Sequence, residues 1–67
     1  MPNNLRQIRE SKGISLHDLE KESGVSYVQL WRIEKEDSDP TFKTMCKIAR
    51  ALKTPYYEIF LCEEQNE

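Results

Sequence analysis

His17, Cys46 and Cys62 are the side chains of this chain best suited to catalysis or metal binding, and their placement favours neither. The histidine falls on the outer side of a helical pattern with no nucleophile paired to it, the cysteines form no close pair, and no glycine-rich phosphate loop is present. A zinc site would be short of ligands, so no enzyme, cofactor or metal is expected. The remaining chemistry is surface recognition. Between residues 26 and 34, about 100° of rotation per residue turns Leu30 and Ile33 to one side. Val28 and Arg32 then face the other, with Ser26 and Tyr27 leading at the N-terminal end.

Two short helices around a glycine must hold that surface. Ser15 and Asp18 have the spacing of a capping box, which starts a helix carrying Leu16 and Leu19 on one face; Gly24 stops it by taking a left-handed conformation. Val25 is driven inward, and Ser26 with Gln29 repeats the box at the head of the next helix. Asn3 or Asn4 caps an earlier helix bearing Leu5 and Ile8, which ends at Gly13. After the polar loop 35–40, Thr41 caps a fourth helix with an apolar stripe of Phe42, Met45, Ile48, Ala49 and Leu52. Thr54 as cap and Pro55 at the first helical position begin a fifth, packed through Tyr56, Ile59 and Phe60. The spacing therefore predicts an all-α domain of five short helices. Only Leu61-Cys62-Glu63-Glu64 invites an extended strand, one that could pair with a second copy.

Sixty-seven residues allow one domain with a small core, spanning 1–67 with its central motif at 15–34 and a dimerisation helix and tail at 54–67. The net charge is −2, yet residues 1 to 57 hold all ten basic residues against eight acidic ones, and the acidic excess lies in Glu58, Glu63, Glu64 and Glu67. A mildly basic folded part keeps an anionic partner open. Reduced cysteines, no membrane-length apolar run and no signal-peptide layout suit a soluble, cytoplasmic protein.

From Leu5 to about Phe60 the chain resembles the lambda-type repressor and Cro, or XRE, family of helix-turn-helix DNA-binding domains. The residues that carry the likeness are Ile8-Arg9, Gly13-Ile14-Ser15, Leu19, Gly24-Val25-Ser26, Leu30, Arg32-Ile33-Glu34, Pro40 and Lys47-Ile48-Ala49-Arg50-Ala51-Leu52. The resemblance implies that helix 26–34 enters the major groove of double-stranded DNA, with Ser26, Tyr27, Val28 and Arg32 at base edges. Phosphate contacts then fall to the helix starts at Ser15 with Leu16, at Ser26 with Tyr27 and at Thr41 with Phe42, and to Lys35 and Lys43. Arg9 and Glu34 match a structural ion pair of that family. Trp31, on the flank, is expected to pack over the loop and the fourth helix.

The chain departs from the family pattern at four places. Leu16 stands where relatives often place a phosphate-binding glutamine, and Glu20 replaces a small residue at the helix crossing, so its carboxylate must reach solvent or a basic partner. Glu36 takes the position of a helix-ending glycine, and the loop 36–39 is acidic.

Five large apolar or aromatic residues, Tyr56, Tyr57, Ile59, Phe60 and Leu61, crowd six positions, more than one helix face can hide. A symmetric homodimer through Tyr56, Tyr57, Phe60 and Leu61 is expected, reading a palindromic operator. With no room for a separate sensing or activating domain, a transcriptional repressor is the expected role, without a small-molecule ligand. The alternative is a protein-binding adaptor of antitoxin-like or anti-repressor type that uses Tyr27, Val28 and Trp31, which the acidic loop and tail favour.

Overall fold

The computed structural model describes residues 2–60. Leu61, Cys62 and the strand expected at 61–64 lie outside the described residues. Five helices follow in order: α1 (Leu5–Ser11), α2 (Leu16–Ser23), α3 (Tyr27–Glu34), α4 (Phe42–Leu52) and α5 (Tyr56–Ile59). Among the described residues the only β feature is a single antiparallel bridge between Asn3 and Phe60.

The helix starts follow the caps expected from the sequence. Ser15 Oγ accepts from the Asp18 amide at 3.0 Å while Asp18 accepts from the Ser15 amide at 3.2 Å, closing the capping box. The Ser15 amide, and after it the Ser15 hydroxyl, hold the Asp18 carboxyl below the usual aspartate range. Ser26 Oγ accepts from the Gln29 amide and Thr41 Oγ1 from the Thr44 amide, each at 3.2 Å, but the Gln29 side chain does not return to the Ser26 amide, so the second box expected from the sequence is only half formed. At α1 the cap comes from Asn3, whose Oδ1 accepts from the Leu5 amide and whose Nδ2 donates to the Ile33 carbonyl at 2.9 Å. One asparagine thus ties the start of α1 to the end of α3. The start of α5 differs from expectation: Pro55 occupies the cap position, and the Thr54 hydroxyl donates back to the Leu52 carbonyl.

Left-handed residues end the first four helices. Gly13 and Gly24 take φ of 70° and 78°, as glycine does without steric penalty. Glu36 and Lys53 adopt φ of 61° and 53° with a Cβ in place. At Glu36 the amides of Glu36 and Asp37 reach back to the carbonyls of Ile33 and Arg32, the paired bonds of a Schellman ending. These bonds hold the residue in a conformation that costs a non-glycine side chain roughly 1–2 kcal/mol. Glu36→Gly is therefore expected to stabilise the domain by about 1 kcal/mol, read as a higher urea midpoint at unchanged slope. A lower midpoint would show that the glutamate side chain contributes more than its backbone strain costs.

Leu5, Leu19, Val25, Leu30, Ile33, Met45, Ile48, Leu52, Ile59 and Phe60 form the core, with Ile8, Ile14, Leu16, Ala49 and Ala51 packed against it. Phe42, placed in the α4 stripe by spacing, instead stands exposed at the first turn. Its ring meets Tyr56 edge-on at 5.2 Å, and Tyr56 meets Tyr57 in the same manner at 5.7 Å. Phe60 takes the inward place: it is 0% exposed, so its ring is core and offers nothing to a partner. The dimer surface expected from the sequence is corrected accordingly. Tyr56 and Tyr57 remain outside, Phe42 joins them, and Leu61 lies beyond the described residues. Pro40 is buried too, anchoring the end of an otherwise exposed loop.

Candidate nucleic-acid interface

The turn at Gly24 sets the outward face of α3. Its left-handed φ reverses the chain after α2, Val25 plugs the core behind it, and Leu30 and Ile33 follow inward with no exposed surface. Helical rotation then leaves Val28 57% exposed, with Arg32 exposed one turn on and Ser26 exposed at the cap. Tyr27 is half-buried. The four residues expected to read bases thus share the head and outer side of one helix.

Two contacts from α2 hold that head. The His17 ring stacks on the Tyr27 ring, centroids 4.5 Å apart and planes 30° from parallel. Glu20 Oε2 accepts from the Tyr27 amide at 3.1 Å. Glu20 therefore takes neither of the two courses expected for it, open solvent or a basic partner. It finds the partial positive charge at the start of α3, the place where a carboxylate is stabilised by free amides and the helix dipole. Without a paired nucleophile, His17 carries no catalytic signal in the sequence. The available signal was spacing: His17 and Glu20 lie three residues apart on one face of α2, and that face meets the first residue of the next helix.

The same contact changes the electrostatics of the helix head. Ser26 satisfies the Gln29 amide and Glu20 the Tyr27 amide, so among the described residues the Val28 amide is the first-turn donor of α3 without an acceptor. At α2, Ser15 satisfies Asp18, and the Leu16 and His17 amides stay open in the same sense. Asp18 and Glu20 thus bring a carboxylate to each head. On the expectation that α3 meets DNA, Glu20→Gln, which keeps an acceptor oxygen but drops the charge, should tighten that contact a few-fold at low salt. Repulsion between two unit charges close together in water is worth about 1 kcal/mol or less, and added salt should erase the difference. Fluorescence anisotropy with a labelled duplex checks it; weaker binding by the variant would overturn the electrostatic account.

The other expected contact residues are more dispersed. Thr41 caps α4 and Lys43 is exposed in its first turn, and among the described residues no hydrogen bond or ion pair ties either to α2 or α3. Lys35 holds its ammonium 4.5 Å from the centre of the Trp31 ring, a cation–π contact. Trp31 thus meets the first residue of the loop. It lines a shallow recess with Arg6, Arg9, Leu16 and Lys35 on the α1 side, and its ring stays partly open.

Arg9 and Glu34 pair as expected. Arg9 Nε donates to Glu34 Oε2 at 2.7 Å and Nη2 to Oε1 at 3.4 Å, while Nη1 donates to the Ile14 carbonyl at 2.8 Å. The two side chains are 11% and 8% exposed. This bond fixes the far end of α3 against α1 and the turn after it.

A helix-turn-helix family model matches residues 5–59. The chain belongs to the helix-turn-helix family. It is of the lambda repressor and Cro, or XRE, type, and its five helices agree with that membership. This helix-turn-helix chain is 42% identical over 52 residues to the HTH-type transcriptional regulator SutR of Escherichia coli, covering 78% of the chain and 29% of that protein. It therefore spans under a third of that relative's length. It is also 34% identical over 66 residues to an uncharacterized HTH-type transcriptional regulator of Methanocaldococcus jannaschii, covering 98% of the chain and the whole of the relative. Among the described residues, no helix is long and apolar enough to cross a membrane.

Proposed function

We propose that this helix-turn-helix protein is a sequence-specific DNA-binding transcriptional regulator of the cytoplasm, acting as a repressor by occupying a palindromic operator as a homodimer. The observation that carries this reading is the division of α3 between a hidden side, Leu30 and Ile33, and an exposed one, Val28 and Arg32. In the major groove, Arg32 suits a guanine edge or a phosphate, Val28 a thymine methyl, and the open Val28 amide a phosphate. The open amides at the start of α2, with Thr41, Lys35 and Lys43, supply further phosphate contacts. The exposed aromatic group of Phe42, Tyr56 and Tyr57 supports pairing of two copies, which places two reading helices about 34 Å apart.

Selection of bound duplexes from a random pool tests the reading. The expected result is a palindrome with half-sites about ten base pairs apart, and a dimer in sedimentation at micromolar concentration. Arg32→Ala should relax preference at one base pair per half-site by about 1–3 kcal/mol. No enriched sequence would sink the proposal, and an enriched but asymmetric site bound by a monomer would sink the dimer.

The carboxylates of Asp18 and Glu20 at the helix heads, with the acidic loop, favour a second reading: an adaptor of antitoxin-like or anti-repressor type that binds a protein through Tyr27, Val28 and Trp31. Salt separates the two. DNA affinity falls linearly in log–log form as salt rises, whereas an apolar protein contact is nearly insensitive.

A further inference from the structure

Tyr27 is held from α2 at two points, its ring by the His17 stack and its backbone amide by the Glu20 carboxylate. The ring of a first-turn tyrosine ordinarily has freedom about two side-chain torsions, and the first turn of a helix is where fraying begins. Here the aromatic stack restricts the ring while the carboxylate restrains the backbone, and both holding residues come from a helix whose own start is locked by a capping box. His17 is exposed, so the stack hides little apolar surface and is not required for the core.

We propose that His17 and Glu20 are specificity-determining positioning residues: they fix where Tyr27 stands, and so decide which base pair it discriminates, without themselves reading the base. The proposal rests on the reading of α3 as the DNA-recognition helix. It explains why a lone imidazole lies at the second position of α2 with no catalytic partner. It also gives Glu20 a use that offsets its unfavourable charge near a phosphate backbone.

The test uses the operator selected by the wild-type chain and its full set of single-base-pair variants, with relative affinities measured for each protein. Tyr27→Ala should flatten the preference at one position of the half-site. His17→Ala should relax that same position by about threefold to tenfold, the range expected from losing one aromatic pair, and leave the other positions unchanged. His17→Phe, which keeps a stacking ring but no imidazole nitrogen, should restore the preference. The double variant should be no worse than Tyr27→Ala alone, because the two residues act through one contact. Glu20→Ala should blur the same position, while Glu20→Gln, retaining an acceptor for the Tyr27 amide, should not.

Thermal unfolding of each variant separates positioning from loss of fold, since exposed His17 should leave the melting temperature nearly unchanged. Four outcomes overturn the proposal: an unaltered preference profile in His17→Ala, relaxation at a different base pair, failure of His17→Phe to rescue, or strict additivity in the double variant. Failure of the wild-type chain to select any duplex would instead bring down the recognition-helix reading itself, and is told apart by needing no variant to see.

Discussion

Arg9→Ala should cost the domain about 3–5 kcal/mol, because it strands the Glu34 carboxylate in a site only 8% exposed with no cation to compensate it. It also leaves the Ile14 carbonyl without the donor that Arg9 Nη1 provides. A domain of this size has a total stability of roughly 3–10 kcal/mol, so the variant should lose about a third of it at the least, read as a lower urea midpoint by circular dichroism. Glu34→Ala should do comparable damage from the other side. Arg9→Lys should rescue only part of the loss, since an ammonium cannot reproduce the fork that reaches both carboxylate oxygens and a carbonyl. The control lies on the same helix. Arg6 and Glu10 form a pair at 3.1 Å with both side chains well exposed, and Arg6→Ala should change stability by under about 0.5 kcal/mol. A small effect of Arg9→Ala would mean that water reaches Glu34 and that the pair is no anchor for α3.

Phe60→Ala is expected to be as severe, about 3–5 kcal/mol, through loss of a large buried ring and the cavity it leaves. The residue also closes the fold. Phe60 bridges to Asn3, the Asn4 amide donates to the Ile59 carbonyl at 2.7 Å, and the same Asn3 holds the Ile33 carbonyl at the end of α3. Loosening residue 60 should therefore loosen α1 and the far end of α3 together. Because the ring is internal to one chain, the loss should not depend on protein concentration. Tyr57→Ala, at a position 63% exposed, should leave monomer stability within about 0.5 kcal/mol and act, if pairing occurs, only on a concentration-dependent transition. Urea unfolding at two widely separated concentrations distinguishes these behaviours. A concentration-dependent Phe60 effect would return that residue to the interface.

Local chemistry alone settled much of this protein. The Ser15, Ser26 and Thr41 caps, the left-handed turn at Gly24, the inward Leu30 and Ile33 and the outward Val28 and Arg32 all depend on neighbours within about four residues, the range over which helical geometry is fixed by the chain itself. That a glutamate stands in a glycine's place at position 36 was legible only through resemblance to a family, and the left-handed backbone there came from the structure. The Arg9–Glu34 pair was legible through the same resemblance, since nothing local joins residues 25 positions apart.

Only the tertiary structure decided the rest. Phe42 and Phe60 have equal claims on a core by composition, and only the closed fold shows Phe60 inside, its backbone bridged to Asn3, and Phe42 outside. Glu20 and His17 read as a surface charge and an idle imidazole until the crossing of α2 and α3 brings both to Tyr27. The physical reason is common to these cases. A helix's pattern fixes which side of it is hidden, but which residues meet across two helices depends on their crossing and on the turn between them, and these arise only when the whole core closes.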